Sequence, residues 1–165
     1  MAYNTIKLKK YSDHIEEFAA AAAITPGMVL ELTSSETVKA HSVVGGDVTP
    51  VMVALEDELQ GNGISDAYAT GDRVQCWIPY PGDIFYGLLE DGQNVVIGDK
   101  LESNGAGYLQ KHSPESWESA DGQAANTVYS KPIVGIALEA QDLSLLEGSE
   151  SSLAENSQRI KVMVV

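Results

Sequence analysis

Apolar and polar residues alternate in short runs along most of the chain. Thr5-Ile6-Lys7-Leu8-Lys9 puts Ile6 and Leu8 on one side of an extended segment. Arg73-Val74-Gln75-Cys76-Trp77-Ile78 keeps the two-residue period, with Val74, Cys76 and Ile78 on one face, and the last seven residues repeat it through Ile160, Val162 and Val164. Met28–Leu32, Pro50–Leu55 and Ile84–Leu89 are more continuously apolar, the pattern of strands buried on both faces. The spacing predicts about nine or ten short strands separated by turns, the signature of a sandwich or barrel. The expected fold is all-β, mainly antiparallel: a compact β-barrel or β-sandwich of β-tulip type. Residues 1–23 read as an N-terminal arm and residues 24–165 as one β-rich domain. At most one short helix is expected, over 13–23, where Asp13 can cap, Glu16 lies three residues on and alanines fill 19–23. The alanine run fits a tightly packed strand equally well.

Turn chemistry supports this division. Thr25-Pro26-Gly27 and Pro79-Tyr80-Pro81-Gly82-Asp83 combine a fixed φ with a free one. Asp47, Asp72, Asp83 and Asp99 each follow a glycine, where a carboxylate can accept from nearby backbone N–H groups. Asn104-Gly105 marks a hairpin. Residues 113–127 are polar and aperiodic and read as a long surface loop; 145–158 form a Ser- and Glu-rich excursion.

One phrase occurs twice. Leu30-Glu31 … His41-Ser42 returns 71 residues later as Leu101-Glu102 … His112-Ser113. Val53-Ala54-Leu55-Glu56 returns as Ile136-Ala137-Leu138-Glu139, shifted by about twelve residues more. Two related β-rich units, 26–56 and 97–139, follow from this, and the repeat carries no evident chemistry.

Charge narrows the partners. The net charge is −14, which disfavours direct contact with nucleic-acid phosphates. Lys7, Lys9 and Lys10 cluster near the N-terminus of this acidic chain. No apolar run is long enough for a membrane helix, and the first residues lack the apolar stretch of a secretory signal, so membrane contact is not expected. Cys76 is the only cysteine and reads as a buried thiol. His41 and His112 hold equivalent places, where each imidazole can bond a loop carbonyl; no third ligand stands at metal-like spacing. No catalytic residues, cofactor or metal are assigned, and the chain reads as a non-enzyme. Trp77, Tyr80, Phe85 and Tyr86 gather around the proline bend. Tyr80, Pro81 and Trp117 form a possible partner surface, and a carbohydrate-binding β-sandwich using Trp77, Tyr80 and Trp117 is the alternative function.

Ala23-Ile24-Thr25-Pro26-Gly27-Met28-Val29-Leu30-Glu31, Val53–Glu56, Gly71-Asp72-Arg73-Val74, Gly98-Asp99-Lys100-Leu101 and Val134–Glu139 together resemble the capsid decoration, or head cement, proteins of tailed bacteriophages. The resemblance covers roughly residues 15–143 and the last strand. It implies a structural virion protein, assembled in the host cytoplasm, on the outer surface of the capsid head. It would bind major capsid protein, stabilise contacts between capsomers and associate with itself as a homotrimer. It also implies a capsid-binding arm, which here would use Tyr3, Ile6, Lys7, Leu8, Lys9, Lys10 and Tyr11. On that expectation, deleting residues 1–12 removes capsid binding and leaves a folded oligomer.

Overall fold

The structure is a computed structural model that describes residues 3–11, 13–117, 126–128, 131–144 and 158–165, with backbone alone for 115–117 and 126–128. Its strands are β1 (Lys7–Lys9), β2 (Ile15–Ala20), β3 (Leu30–Leu32), β4 (Thr37–Ala40), β5 (Val53–Ala54), β6 (Arg73–Trp77), β7 (Ile84–Leu88), β8 (Asn94–Val95), β9 (Lys100–Ser103), β10 (Leu109–Lys111), β11 (Glu115–Trp117), β12 (Asn126–Val128), β13 (Gly135–Ala137), β14 (Gln141–Asp142) and β15 (Arg159–Val164). The only helical element among the described residues is a 3-10 turn at Glu58–Gln60. The protein is all-β and mainly antiparallel, as the periodicity predicts. One sheet runs β1-β7-β15-β13-β9-β10 and the other β3-β4-β2-β6-β5; β8–β14 and β11–β12 are small separate ladders.

The segment 13–23 is a strand, not a helix. β2 pairs antiparallel with β6 from Ile15↔Trp77 to Ala19↔Arg73, and parallel with β4 at Ala19↔Thr37 and Ala20↔Val38. Pairing on both edges outweighs the helix propensity of alanine, which for so short a segment is marginal without packing. Nor do residues 3–23 stand apart as an arm. β2 is central in its sheet, β1 pairs with β7, and Ile6 is fully buried. The 113–127 stretch also holds more order than its composition suggests, because β11 pairs with β12 from Glu115↔Val128 to Trp117↔Asn126. The 145–158 excursion, apart from Gln158, lies outside the described residues.

The turns obey a common rule. Ala69-Thr70-Gly71-Asp72, Tyr80-Pro81-Gly82-Asp83 and Val96-Ile97-Gly98-Asp99 each place glycine at positive φ, +92, +95 and +92. In each, the Asp amide donates to the first residue's carbonyl, at 3.1, 2.9 and 3.1 Å. Its carboxylate accepts from that residue's N–H, at 2.7, 2.8 and 2.9 Å. These are turns that demand φ > 0 at the third position, locked by an aspartate at the fourth. In Thr25-Pro26-Gly27-Met28 a thioether replaces the carboxylate, with Thr25 N donating to Met28 Sδ at 3.4 Å.

The repeated phrase marks a duplication larger than the sequence suggests. Leu30↔Ala40 and Glu31↔Lys39 in the β3–β4 hairpin recur as Leu101↔Lys111 and Glu102↔Gln110 in β9–β10. His41 N donates to Val29 O and His112 N to Lys100 O, at 2.9 and 2.8 Å. Ala54↔Cys76 recurs as Ala137↔Val162, and Phe18↔Val74 as Gly87↔Ile160. The bridge Val29↔Val53 matches Ile136↔Lys100, and parallel Ala20↔Val38 matches the bridge Leu89↔Leu109. Each unit therefore has five strands in one pairing order: β2-β6-β5-β3-β4 in the first and β7-β15-β13-β9-β10 in the second. In each, one joint is a lone bridge, Val29↔Val53 or Leu89↔Leu109, so the sheets curl without closing as barrels.

Two apolar cores follow from the two units. Ala20, Leu30, Val38, Ala54, Val74 and Cys76 pack together in the first. Their counterparts Leu89, Leu101, Leu109, Ala137, Ile160 and Val162 pack in the second. That second cluster also takes in Val29, Val53, Leu55 and Trp77 of the first unit, so it is the seam between them.

Candidate functional site

The N-terminal lysines sit on the second unit. Lys7↔Phe85 and Lys9↔Ile84 tie β1 to β7 across an irregular register. Ile6 is pinned beneath by Glu56, whose Oε2 accepts from Ile6 N at 3.0 Å and whose Oε1 accepts from the Thr5 hydroxyl. With its backbone held there, Ile6 enters the core and Leu8 stays half-exposed. The two residues, expected on one surface face, separate because the register shifts between them.

Beside β1 lies a half-open cleft of about 450 Å³, lined by Tyr3, Thr5, Lys7, Leu8, Lys9, Ile84, Leu138 and Lys161. Tyr3 stands edge-on to Tyr86 with ring centroids 5.3 Å apart, and Lys161 Nζ lies 5.4 Å from the Tyr3 ring centre. A hydrogen bond from Lys161 to Tyr3 raises the ammonium's pKa. Lys7 and Lys10 both pair with Asp13, Lys7 at 3.3 Å. Tyr11 is 94% exposed, and its N–H donates to Asp83. The cleft thus joins lysine ammoniums to an apolar floor on a chain of charge −14. Of the residues expected to form a binding arm, Tyr3, Lys7, Leu8 and Lys9 meet there, Lys10 and Tyr11 lie exposed nearby, and Ile6 is core. Sequence reasoning missed Lys161, Ile84 and Leu138. The one available signal was Lys161, the lone cation inside the apolar alternation of the last strand.

The aromatic group at the proline bend divides. Trp77 and Phe85 are fully buried and Tyr86 nearly so, while Tyr80 is half-exposed and Pro81 exposed. With Trp77 in the core, it forms no flat platform with Tyr80. The side chain of Trp117 lies outside the described residues.

The paired histidines do different things. His41 Nε2 donates to the Asp47 carbonyl at 3.1 Å, and Nδ1 lies 2.8 Å from Ser103 Oγ. It is the loop-carbonyl contact read from the sequence, with an added link across the seam. His112 Nδ1 instead meets Glu102 Oε2 at 2.7 Å, while Gln110 donates to Glu102 Oε1 at 2.7 Å and Lys131 lies 3.6 Å from it. Glu31, the counterpart of Glu102, is half-solvated; desolvation raises its pKa, but hydrogen bonds from Lys39 and Ser42 outweigh that and hold it at about 2. Among the described residues, no group of three or more His, Cys, Asp or Glu side chains could hold a metal ion. No helix among the described residues is long and apolar enough to cross a membrane.

No family model matches this chain, and no curated protein matches it.

Proposed function

We propose that this protein is a structural decoration protein that binds the outer surface of a tailed-phage capsid and stabilises contacts between capsomers of major capsid protein. The observation that carries the reading is the separation of charge: Lys7, Lys9 and Lys161 gather at one apolar-floored cleft on a strongly acidic chain. Such a face selects an acidic partner surface and turns the remaining acidic surface outward, which suits dense, repetitive coverage of a shell. The turn-and-strand motifs that resemble decoration proteins lie in the paired strands and turns of the two units, so they supply scaffold. The half-exposed Tyr80 alone does not favour carbohydrate binding.

The test is cosedimentation with expanded capsids assembled from the major capsid protein encoded beside this chain. Wild-type protein is expected to saturate them. The Lys7→Glu/Lys9→Glu/Lys10→Glu variant is expected to lose at least tenfold in affinity while its melting temperature changes little, because these side chains are partly or fully exposed. No wild-type binding, or equal binding of the variant, overturns the proposal. Charge reversal replaces deletion of residues 1–12 as the test, because deletion also removes Ile6 from the core.

A further inference from the structure

The contact between the two units runs in one direction. The β9–β10 tip and the start of β15 of the second unit grip the first. Val29 N donates to Gly107 O at 2.8 Å, Gly107 N to His41 O at 3.1 Å, and Gly45 N to Ser103 O at 2.7 Å. Arg159, 1% exposed, donates from Nη1 to Pro26 O at 2.6 Å and from Nη2 to Ile64 O. In a two-fold contact, the matching tip of the first unit would grip the matching face of the second. It does not. Leu32, the counterpart of Ser103, is 53% exposed. Glu36, the counterpart of Gly107, and Arg73, the counterpart of Arg159, are exposed as well. On the second unit, Ile97, the counterpart of Pro26, is 69% exposed, and Lys100 and Lys111, the counterparts of Val29 and Ala40, are exposed. The molecule therefore carries one used contact and two open halves of the same contact, one at each end.

The open halves complement each other. Inside the chain, Gly107 abuts Ala40 so closely that a Cβ on the glycine would stand 2.9 Å from the alanine Cβ. The corresponding pair on the open halves is Glu36 and Lys111. Glu36 keeps the left-handed backbone of its counterpart, φ 58 against 81, so the tip has the same turn. Two small residues at a tight contact are thus replaced by an acid facing a base across a wider one. Leu32 and Ile97 supply apolar surface beside it. On a chain of charge −14, self-contact requires this local complementarity to offset overall repulsion.

We propose that copies of this chain associate head to tail, the β3–β4 tip of one copy seating on the Ile97–Lys111 face of the next. A contact of this polarity propagates, closing into a ring or continuing as a filament. The proposal uses only the chain's own geometry and stands apart from the capsid reading.

Sedimentation velocity over a wide concentration range tests it, on wild type, Glu36→Lys, Lys111→Glu and the double variant, with melting temperatures as fold controls. Wild type is expected to form concentration-dependent species larger than a dimer. Each single reversal is expected to raise the apparent dissociation constant at least tenfold, and the double variant to recover most of that loss. Wild type remaining monomeric at all concentrations overturns the proposal. So does association that neither reversal weakens, or a double variant no better than the singles.

Discussion

At the scale of single residues, environment decides what each titratable group can do. Cys76 is fully buried, and desolvation pushes its thiol up to about 12. Its counterpart across the duplication is Val162, so it behaves as a small apolar residue. Native protein at pH 8 is expected to resist an alkylating reagent that labels the unfolded chain fully; rapid labelling of the native state would contradict this. Because the folded pKa is raised, the thiol's contribution to stability holds below about 9 and fades as pH rises towards 12. Glu31 works in the opposite sense. Its folded pKa of about 2 lies below the ordinary 4.5, so its contribution is present above about 4.5 and is lost as pH falls from there towards 2. Unfolding midpoints over pH 2–6 are expected to show a shallower acid slope in Glu31→Gln; the effect is small because the carboxylate is partly solvated. Much of this scale was legible beforehand. Glycine followed by aspartate specified three turns by chemistry that acts within four residues. The fate of Ile6 was not legible, because it depends on Glu56, fifty positions away.

At the scale of elements, long-range pairing overrules local preference. Residues 15–20 have the composition of a helix and form a strand because β6 and β4 offer two edges to pair with. No window of sequence around the alanines contains that information. The hairpins were legible because both strands and the turn lie within a dozen residues. Ile6 anchors β1, and Ile6→Ala is expected to destabilise the protein by about 2–5 kcal/mol in denaturant unfolding, the range for emptying a fully buried aliphatic site. Gly135 in β13 is tighter still. An added Cβ would stand 2.5 Å from the Met163 carbonyl oxygen, so Gly135→Ala must displace β15 or β13. It is expected to lower the melting temperature by more than Ile6→Ala. A tolerated alanine there would mean that the β13–β15 ladder has slack.

At the scale of the whole molecule, the two units share one seam. Val29, Val53, Leu55 and Trp77 of the first pack in the same cluster as the core of the second. Trp77→Ala is expected to cost about 3–5 kcal/mol and to lower the stability of both units together. Calorimetry should show a single transition for wild type, and two separated transitions would contradict a shared seam. The sequence displayed the duplication as two short phrases. Its full extent, β2 to β6 against β7 to β15, was hidden because most counterparts keep only size and polarity, as with Val74 and Ile160 or Cys76 and Val162. The direction of the contact between units was not legible at all, since it rests on backbone carbonyls and a single arginine.

β15 lies inside its sheet, with β7 on one side and β13 on the other, yet it is the last of the fifteen strands to be synthesised. Until it leaves the ribosome, β7 and β13 lack their shared partner, and the Pro26 carbonyl lacks the Arg159 guanidinium. The first unit can pair its own strands during translation, but the seam must wait for release. A nascent chain of this protein therefore exposes Trp77 and its neighbours for most of its synthesis, and any message truncated before Arg159 yields a chain that keeps them exposed.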